Sequence, residues 1–192
     1  MGNLSIIYLQ ASSPDQWQLR SWKVAIVTGL VAAIVALITA IAGLIQRARE
    51  TRWKQAELAR KLLDDIFDFQ PAYNALIMID EFKESFQMDG GQTTDVSFRD
   101  IDQALMVPIQ DHSEQARFIR RCFDALLYYL ERIEQSIQIK IVIFADIKNP
   151  AEYYVERLAL HKKSLSCYLT FTKYSGATAF LERFSSWNNS SS

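Results

Sequence analysis

The hydrophobic and polar positions divide this chain into one apolar run and a longer amphipathic remainder. Residues 24–45 are 22 positions without a charged side chain, lying between Lys23 and Arg47. At about 1.5 Å rise per residue, a helix of this length extends roughly 33 Å, which matches a hydrocarbon core of about 30 Å. The pattern therefore predicts a transmembrane helix over residues 24–46, preceded by a short extracytoplasmic tail of residues 1–23.

A signal peptide, a core helix of a soluble protein and an interfacial helix also contain apolar runs. Each of these alternatives fits residues 24–45 less well than a transmembrane helix does. A signal peptide has a shorter apolar region close to a basic start, whereas this run follows 23 residues that include Pro14 and Asp15. A core helix of a soluble protein carries a polar stripe, and an interfacial helix carries a charged face. Here Thr28 and Thr39 are the only hydroxyl-bearing residues in the run, so the spanning helix is favoured.

The basic residues beside the run predict its orientation. Arg20 and Lys23 precede it, and six basic residues follow it before position 62: Arg47, Arg49, Arg52, Lys54, Arg60 and Lys61. Because cytoplasmic flanks carry the excess of Lys and Arg, the amino terminus is expected outside and the rest of the chain in the cytoplasm. Cys122 and Cys167, the only cysteines, are then expected to be reduced.

Small residues recur along one stripe of the apolar run at spacings of four, three, four and three. The stripe consists of Gly29, Ala33, Ala36, Ala40 and Gly43. In lipid, small residues allow the close backbone approach by which transmembrane helices associate, so we expect self-association along this stripe. The alternative is the ordinary abundance of alanine and glycine in spans, since Ala25, Ala32 and Ala42 lie off the stripe.

A helical stalk over residues 47–70 is predicted next, basic at its start and acidic later. Each of Arg47, Arg49, Arg52 and Lys54 is expected to contribute on the order of 1 kcal/mol at anionic lipid head groups. Between residues 62 and 102 there are ten acidic residues against Lys83 and Arg99. This acidic stretch is typical of a solvated helical face, and a surface for a basic partner is the alternative.

The remaining residues, 71–186, predict a small cytosolic helical bundle. Pro71 is expected to break the stalk, and apolar positions then recur at helical spacing: Ala72, Leu76, Ile79, Phe82 and Phe86. Turn formers over residues 88–98 predict a plain loop, and the strongest soluble helix begins at Ser113. The predicted fold class is therefore all-α, with a transmembrane helix that continues into a stalk and a bundle.

The end of the chain is predicted in less regular pieces. Residues 137–143 alternate isoleucine with other residues, which we interpret as a helix end passing into a buried extended connection. Asn149 and Pro150 predict the cap and first turn of a following helix. Two short helices are expected around residues 165–174 and 177–184, and residues 187–192 are expected to fray.

Four stretches carry aromatic and aliphatic positions with an arginine and a glutamate: residues 119–124, 129–131, 153–159 and 168–184, the last with Tyr174-Ser175-Gly176 and Phe180-Leu181-Glu182-Arg183-Phe184. With these stretches, the layout resembles that of an uncharacterised bacterial group whose members combine an amino-terminal span, a basic stalk and a helical cytosolic domain. The resemblance implies a single-pass protein of the bacterial inner membrane. It implies no known activity.

Candidate chemistry is sparse. Arg157 followed by His161 on one helix resembles the signature of helical ribonucleases that dimerise around these residues, some of them in membrane-linked antiviral systems. Those ribonucleases place four to six residues between the two, whereas this chain has three. Neither His112 nor His161 lies at metal-ligand spacing from a second ligand, and the glycines near residue 90 lack the residues of a phosphate or calcium loop. The sequence thus predicts no metal site and no cofactor, and an enzyme is less expected than a binding protein.

Charge gives no support for nucleic-acid binding. Residues 47–192 carry 19 basic and 21 acidic residues, a net charge of minus two. We therefore expect a membrane-anchored interaction or oligomerisation protein, whose partners are an anionic bilayer and either a second copy or another protein. The alternative is a membrane-linked effector, either an oligomeric pore or a helical ribonuclease using Arg157 and His161.

Overall fold

The computed structural model of this protein describes residues 14–80, 85–88, 91–106 and 113–189, with side chains from residue 22 onward. These residues form eight helices and one pair of short strands, so the all-α prediction is confirmed. The helices are α1 (Pro14–Asp68), α2 (Gln70–Ile79), α3 (Phe98–Leu105), α4 (Glu114–Gln138), α5 (Phe144–Leu160), α6 (Lys162–Thr172), α7 (Ser175–Glu182) and α8 (Ser185–Asn189). The strands are β1 (Ser85–Gln87) and β2 (Thr93–Asp95).

The chain divides into two compact units, Met1–Thr51 and Arg52–Ser192. In the first unit, every side chain described is exposed, including Leu30 at 62% and Leu44 at 66%. Helix α1 is long and apolar enough to cross a membrane. The hydroxyl of Thr39 donates to the Val35 carbonyl at 2.9 Å, so this polar group is satisfied within the helix.

Pro71 ends the long helix, as predicted. Helix α1 stops at Asp68, Phe69 is extended, and Pro71 lies in the first turn of α2. A proline is tolerated there because the first amides of a helix have no partner within the helix.

The second unit is built around α4. This helix packs against α2, α3 and α7, while α5 packs against α2, α6 and α8. The amino terminus of α4 is capped by Ser113, whose hydroxyl accepts a hydrogen bond from the Ala116 amide at 3.1 Å. The predicted start of this helix is therefore confirmed. Phe123 of α4 and Phe180 of α7 are fully buried in the shared core.

The predicted plain loop, residues 88–98, contains strand β2, and β1 lies directly before it. Strands β1 and β2 pair antiparallel, with Phe86 opposite Thr94. Phe86 was expected on a helical stripe with Phe82, but it lies in β1 and packs against Phe118 at 6.1 Å between ring centroids. Three-residue strands are too short to show an alternating pattern, which explains why the sequence concealed them. Phe82 lies outside the described residues.

The connection between α4 and α5 is a tight turn, so the buried extended segment predicted for residues 137–143 was wrong. Lys140 has a φ of 60°, and the amides of Lys140 and Ile141 bond to the carbonyls of Ile137 and Ser136. This is the Schellman pattern that ends many helices. We call residues 139–143 the isoleucine turn. Its Val142 is buried at 2% exposure, whereas all three of its isoleucines are exposed.

Pro150 does not begin a helix, because α5 begins six residues earlier at Phe144. Ile147 lies in the first turns of this helix and is completely buried in the core. Proline removes one backbone hydrogen bond inside the helix, and this cost is offset by the packing of the first turn.

The end of the chain also departs from the prediction. Residues from 187 onward were expected to fray, but Trp187 lies in α8 and is only 4% exposed. The ammonium of Lys162 donates to the Trp187 carbonyl at 2.6 Å and lies 5.6 Å from the centroid of its ring. One buried indole therefore holds a helix that is too short to have a periodic signal. Residues 190–192 lie outside the described part of the chain.

Candidate interaction surface

The residues of the Arg-His pair have different partners. The Arg157 guanidinium lies 3.5 Å from the Asp80 carboxylate and 3.4 Å from the Tyr153 hydroxyl. It also lies over the Tyr153 ring, 5.5 Å from the centroid. The Tyr153 hydroxyl in turn donates to Asp80. Arg157 is thus part of a surface cluster with an acid and a tyrosine.

His161 is buried and contacts different residues. Its residue is 2% exposed, its Nδ1 lies 3.0 Å from an Asp102 carboxylate oxygen, and its ring stacks on Phe98 with centroids 3.9 Å apart. The Ser164 hydroxyl is hydrogen-bonded to Asp102 and lies 2.9 Å from the His161 carbonyl oxygen. This cluster joins α3 to the junction of α5 and α6. The His161 side chain is therefore shielded from solvent, whereas Arg157 is partly exposed. His112 lies outside the described residues.

The small-residue stripe of α1 packs against none of the residues that the structure describes. A Cβ added at Gly29 or Gly43 would meet no atom within 4 Å, and Ala33, Ala36 and Ala40 are exposed. Association along this stripe stays a prediction.

The basic residues at the start of the stalk divide into two kinds. Arg47, Arg49 and Lys54 are exposed. Arg52 instead forms a two-pronged ion pair with Asp146, with an Nη2–Oδ1 distance of 2.6 Å. The hydrogen bonds from Arg52 lower the pKa of Asp146, so this carboxyl group stays ionised well into the acid range.

The cysteines and acids do not gather into a metal-ligand set in the part of the chain that the structure describes. Cys122 is buried, Cys167 is partly buried, and both are free thiols. Across residues 14–80, 85–88, 91–106 and 113–189, no three His, Cys, Asp or Glu side chains come together in a way that could hold a metal ion.

An aromatic surface is the feature that the sequence interpretation missed. Near the end of α1, the Phe67 ring packs edge-on against Tyr154 of α5, 5.8 Å between centroids, and lies 6.3 Å from Tyr73 of α2. Tyr153 lies beside Tyr154 at 5.3 Å and carries Arg157 on its face. These four rings connect α1, α2 and α5.

A second group of rings lies on α4 and at the helix break. Tyr128 and Tyr129 have centroids 5.8 Å apart, and Phe69 lies 5.9 Å from Tyr129. The Arg132 guanidinium lies over both tyrosine rings, at 5.9 Å and 5.7 Å from their centroids. We define the aromatic surface as both groups with their two arginines: Phe67, Phe69, Tyr73, Tyr128, Tyr129, Tyr153, Tyr154, Arg132 and Arg157.

Much of the aromatic surface faces solvent. Tyr128 is 55% exposed, Phe69 46% and Tyr153 45%. Burial and the nearby Asp80 carboxylate raise the pKa of Tyr154, so its hydroxyl remains a hydrogen-bond donor at neutral pH. The surface combines apolar rings with donors and delocalised cations. Such rings and cations can bury area and pair polar groups at the same time.

A small apolar cavity of about 90 Å³ lies in the second unit and shares Phe67 and Tyr154 with the aromatic surface. Its other walls are aliphatic, apart from Phe180: Leu63, Ile66, Leu76, Leu126, Leu130, Ile133, Pro150, Ala151, Val155 and Leu158. An apolar void of this size can stay dry.

One sequence signal could have revealed this surface. Tyr128-Tyr129 and Tyr153-Tyr154 are adjacent pairs on helices, and neighbours in a helix point about 100° apart. When one ring of such a pair packs inward, the other is directed toward solvent. Tyr129 and Tyr154 are indeed the more buried members of their pairs.

Comparison of the chain with protein-family models, with curated proteins and with solved structures found no match. The resemblance seen in the sequence assigns no role to any residue of the aromatic surface. The function is therefore inferred from this chain's own residues and contacts.

Proposed function

We propose that this protein is a membrane-anchored helical interaction module. Residues 24–46 cross the inner membrane of a bacterium with the amino terminus outside. The unit Arg52–Ser192 lies in the cytoplasm and presents the aromatic surface to a protein, either a second copy or a different partner.

The exposed apolar side chains of α1 support the anchor. Between residues 22 and 45, the large hydrophobic side chains are each 48–66% exposed. Water-soluble monomers rarely expose a continuous apolar patch of more than a few hundred Å². A bilayer covers such a helix on all sides, and the internal hydrogen bond of Thr39 meets the requirement that polar groups in lipid be satisfied.

The basic residues after the span support the orientation. Arg47, Arg49 and Lys54 are exposed beyond its carboxyl end, while only Arg20 and Lys23 precede it. A reporter fused to the carboxyl terminus should be active in the cytoplasm, and the protein should stay with membranes after alkaline extraction. A soluble protein, or a reporter active only in the periplasm, would contradict this part of the proposal.

The aromatic surface is the observation that supports interaction. Tyrosine and arginine are enriched among the residues that contribute most to protein interfaces. Tyrosine buries a large area at a low cost in side-chain entropy, and arginine supplies several hydrogen-bond donors on a planar cation. Here five aromatic residues are more than one-third exposed: Phe67, Phe69, Tyr73, Tyr128 and Tyr153. The contacts of Arg132 and Arg157 hold part of the surface in place before any partner binds.

Site-specific photocrosslinking in native membranes tests the interaction. A photoreactive phenylalanine analogue replaces Tyr128 or Tyr153 in the full-length chain. The matched control replaces Phe171, which is 65% exposed on α6 and outside the aromatic surface. We expect adducts from positions 128 and 153 and few from 171. The adduct mass distinguishes a second copy from another protein, and equal yields at all three positions would refute the role of the surface.

Neither effector alternative has a comparable observation in its favour. A water-filled pore needs polar groups along its lining, and the apolar run offers only Thr28 and Thr39. The ribonuclease needs Arg157 and His161 at one substrate, and His161 is buried on Asp102. Leakage of liposomes, or RNA cleavage lost in Arg157→Ala, would reverse this preference.

A further inference from the structure

The isoleucine turn exposes more apolar surface than a turn normally does. Ile139 is 66% exposed, Ile141 45% and Ile143 38%. Turns favour glycine, proline, asparagine, aspartate and serine, which adopt turn conformations and hydrate well. Three exposed β-branched residues in five positions therefore indicate a surface that is covered by something other than water.

The turn is held in a fixed shape. The buried Val142 anchors it to the core, and Lys140 adopts the left-handed conformation that ends α4. Two polar contacts tie this region to α1: the Gln55 amide donates to the Lys140 carbonyl at 3.0 Å, and Arg52 pairs with Asp146. The turn and the first residues of α5 are consequently fixed against Arg52 and Gln55 of α1.

The exposed charged residues within residues 139–148 are both lysines. Lys54, Lys140 and Lys148 are exposed, and the only acid of residues 139–148, Asp146, is neutralised by Arg52. Apolar side chains next to several lysines are complementary to the boundary of an anionic bilayer, where acyl chains lie below phosphate groups. A protein partner would need an apolar, acidic surface to match the same residues.

We propose that the isoleucine turn is a second membrane contact, which inserts into the interface of an anionic lipid bilayer. This inference rests on the proposed function, because the anchor must first hold the chain at the membrane. Gln55 follows Ile45 by only ten residues in the chain, and such a short tether gives the turn a high effective concentration at the bilayer surface. The isoleucines enter the boundary between head groups and acyl chains, and Lys54, Lys140 and Lys148 bind lipid phosphates.

Lipid-dependent quenching in the full-length protein tests this contact. The protein carries Cys167→Ser to remove its partly exposed thiol, and one new cysteine is labelled with an environment-sensitive fluorophore. The positions are Ile141, Phe171 and Val35; Phe171 is an exposed hydrophobic on α6, and Val35 lies within the proposed span. Each protein is reconstituted into nanodiscs of phosphatidylcholine and phosphatidylglycerol, with or without brominated acyl chains.

The expected result is that brominated lipid reduces fluorescence at positions 141 and 35 but not at 171. Replacing phosphatidylglycerol by phosphatidylcholine should weaken quenching at 141 and leave it unchanged at 35. Quenching at 35 without quenching at 141 would overturn the second contact and leave the anchor standing. A blue-shifted but unquenched label at 141 would mean that a protein, such as a second copy, covers the turn. Absence of quenching at 35 would contradict the anchor itself.

Discussion

Arg183 and Glu134 form a two-pronged ion pair that joins the end of α7 to α4, in which Glu134 is buried and Arg183 is exposed. The Nε–Oε2 and Nη2–Oε1 distances are both 2.7 Å, and Glu134 is only 1% exposed. Burial alone would raise the pKa of Glu134, but hydrogen bonds from Arg183 and Gln138 outweigh it and lower the pKa overall. The guanidinium also lies 5.5 Å from the centroid of the Phe144 ring, at the first residue of α5. Three helices thus meet at this pair.

Removing one member of the pair should be costly. In Arg183→Met, the Glu134 carboxylate stays buried without its main partner, and we expect a loss of about 3 kcal/mol in the free energy of unfolding. Urea denaturation of the full-length protein in micelles, followed by near-ultraviolet circular dichroism, measures it. The double variant Glu134→Leu, Arg183→Met should recover much of the loss. A double variant as unstable as the single one would show that the cost is due to packing rather than to the unpaired charge.

Protonation of Glu134 at acid pH should lower the stability of the fold. A carboxyl group whose pKa is lower in the folded than in the unfolded chain stabilises the fold above its unfolded pKa, about 4.3 for glutamate. That contribution is lost as the pH falls through the folded pKa. We expect the urea midpoint of the wild type to fall faster than that of Glu134→Gln below about pH 4.3. Parallel curves would contradict the prediction.

Asp124 provides a control, because its pKa is shifted in the opposite direction to that of Glu134. Burial raises its pKa despite the 2.9 Å hydrogen bond from Tyr168. Its native form therefore binds protons more readily than the unfolded chain does, and it favours folding as the pH falls. Asp124→Asn should lose this gain, so its midpoint should fall faster than that of the wild type as the pH falls through the raised folded pKa of Asp124 toward about 3.9, the unfolded value for aspartate. The two variants thus deviate from the wild type in opposite directions.

Relieving the backbone at the end of α4 should stabilise the protein. Lys140 has a φ of 60°, where a side chain costs about 1 kcal/mol or more and glycine costs little. Lys140→Gly is therefore expected to raise the free energy of unfolding by about 1 kcal/mol. Lys148→Gly, inside α5, should lower it by about 1 kcal/mol. Thermal unfolding of both variants checks the contrast, and destabilisation by both would argue against strain at Lys140.

The last helix should matter for stability. Trp187→Ala removes a buried indole and the apolar contacts that hold α8, so we expect a loss of about 3 kcal/mol. Asn189→Ala, an exposed change in the same helix, should have little effect. Hydrogen exchange of the α8 amides gives a direct measurement, with faster exchange in the tryptophan variant only. Equal protection in both variants would mean that Trp187 does not hold the helix.

Substitutions at Gly176 and Glu131 should have coupled effects on stability, because the two residues are in close contact. A Cβ at this position would lie 2.9 Å from the Cγ of Glu131. Gly176→Ala alone is therefore expected to destabilise by about 1–3 kcal/mol, even though alanine favours helices. Combined with Glu131→Ala, the same change should become neutral or stabilising. A double-mutant cycle by urea denaturation measures the coupling, and additive effects would exclude the contact.

The sequence determined the features that depend on neighbouring residues. The uncharged run of 22 residues predicted a long apolar helix, and α1 is long and apolar enough to cross a membrane. Pro71 lacks an amide donor, and the Ser113 hydroxyl accepts from the helix that follows it. These effects act over one or two turns and do not depend on the rest of the fold.

Only the tertiary structure decided which side chains meet across the bundle. The pairing of Arg183 with Glu134, the burial of His161 on Asp102 and the inward position of Trp187 join residues distant in sequence. The aromatic surface and the isoleucine turn depend equally on packing, since the same residue types also form cores. The spacing of apolar residues predicts which face of a helix is buried. Which side chains contact each other depends on how the helices pack, and the packing is determined by the whole chain.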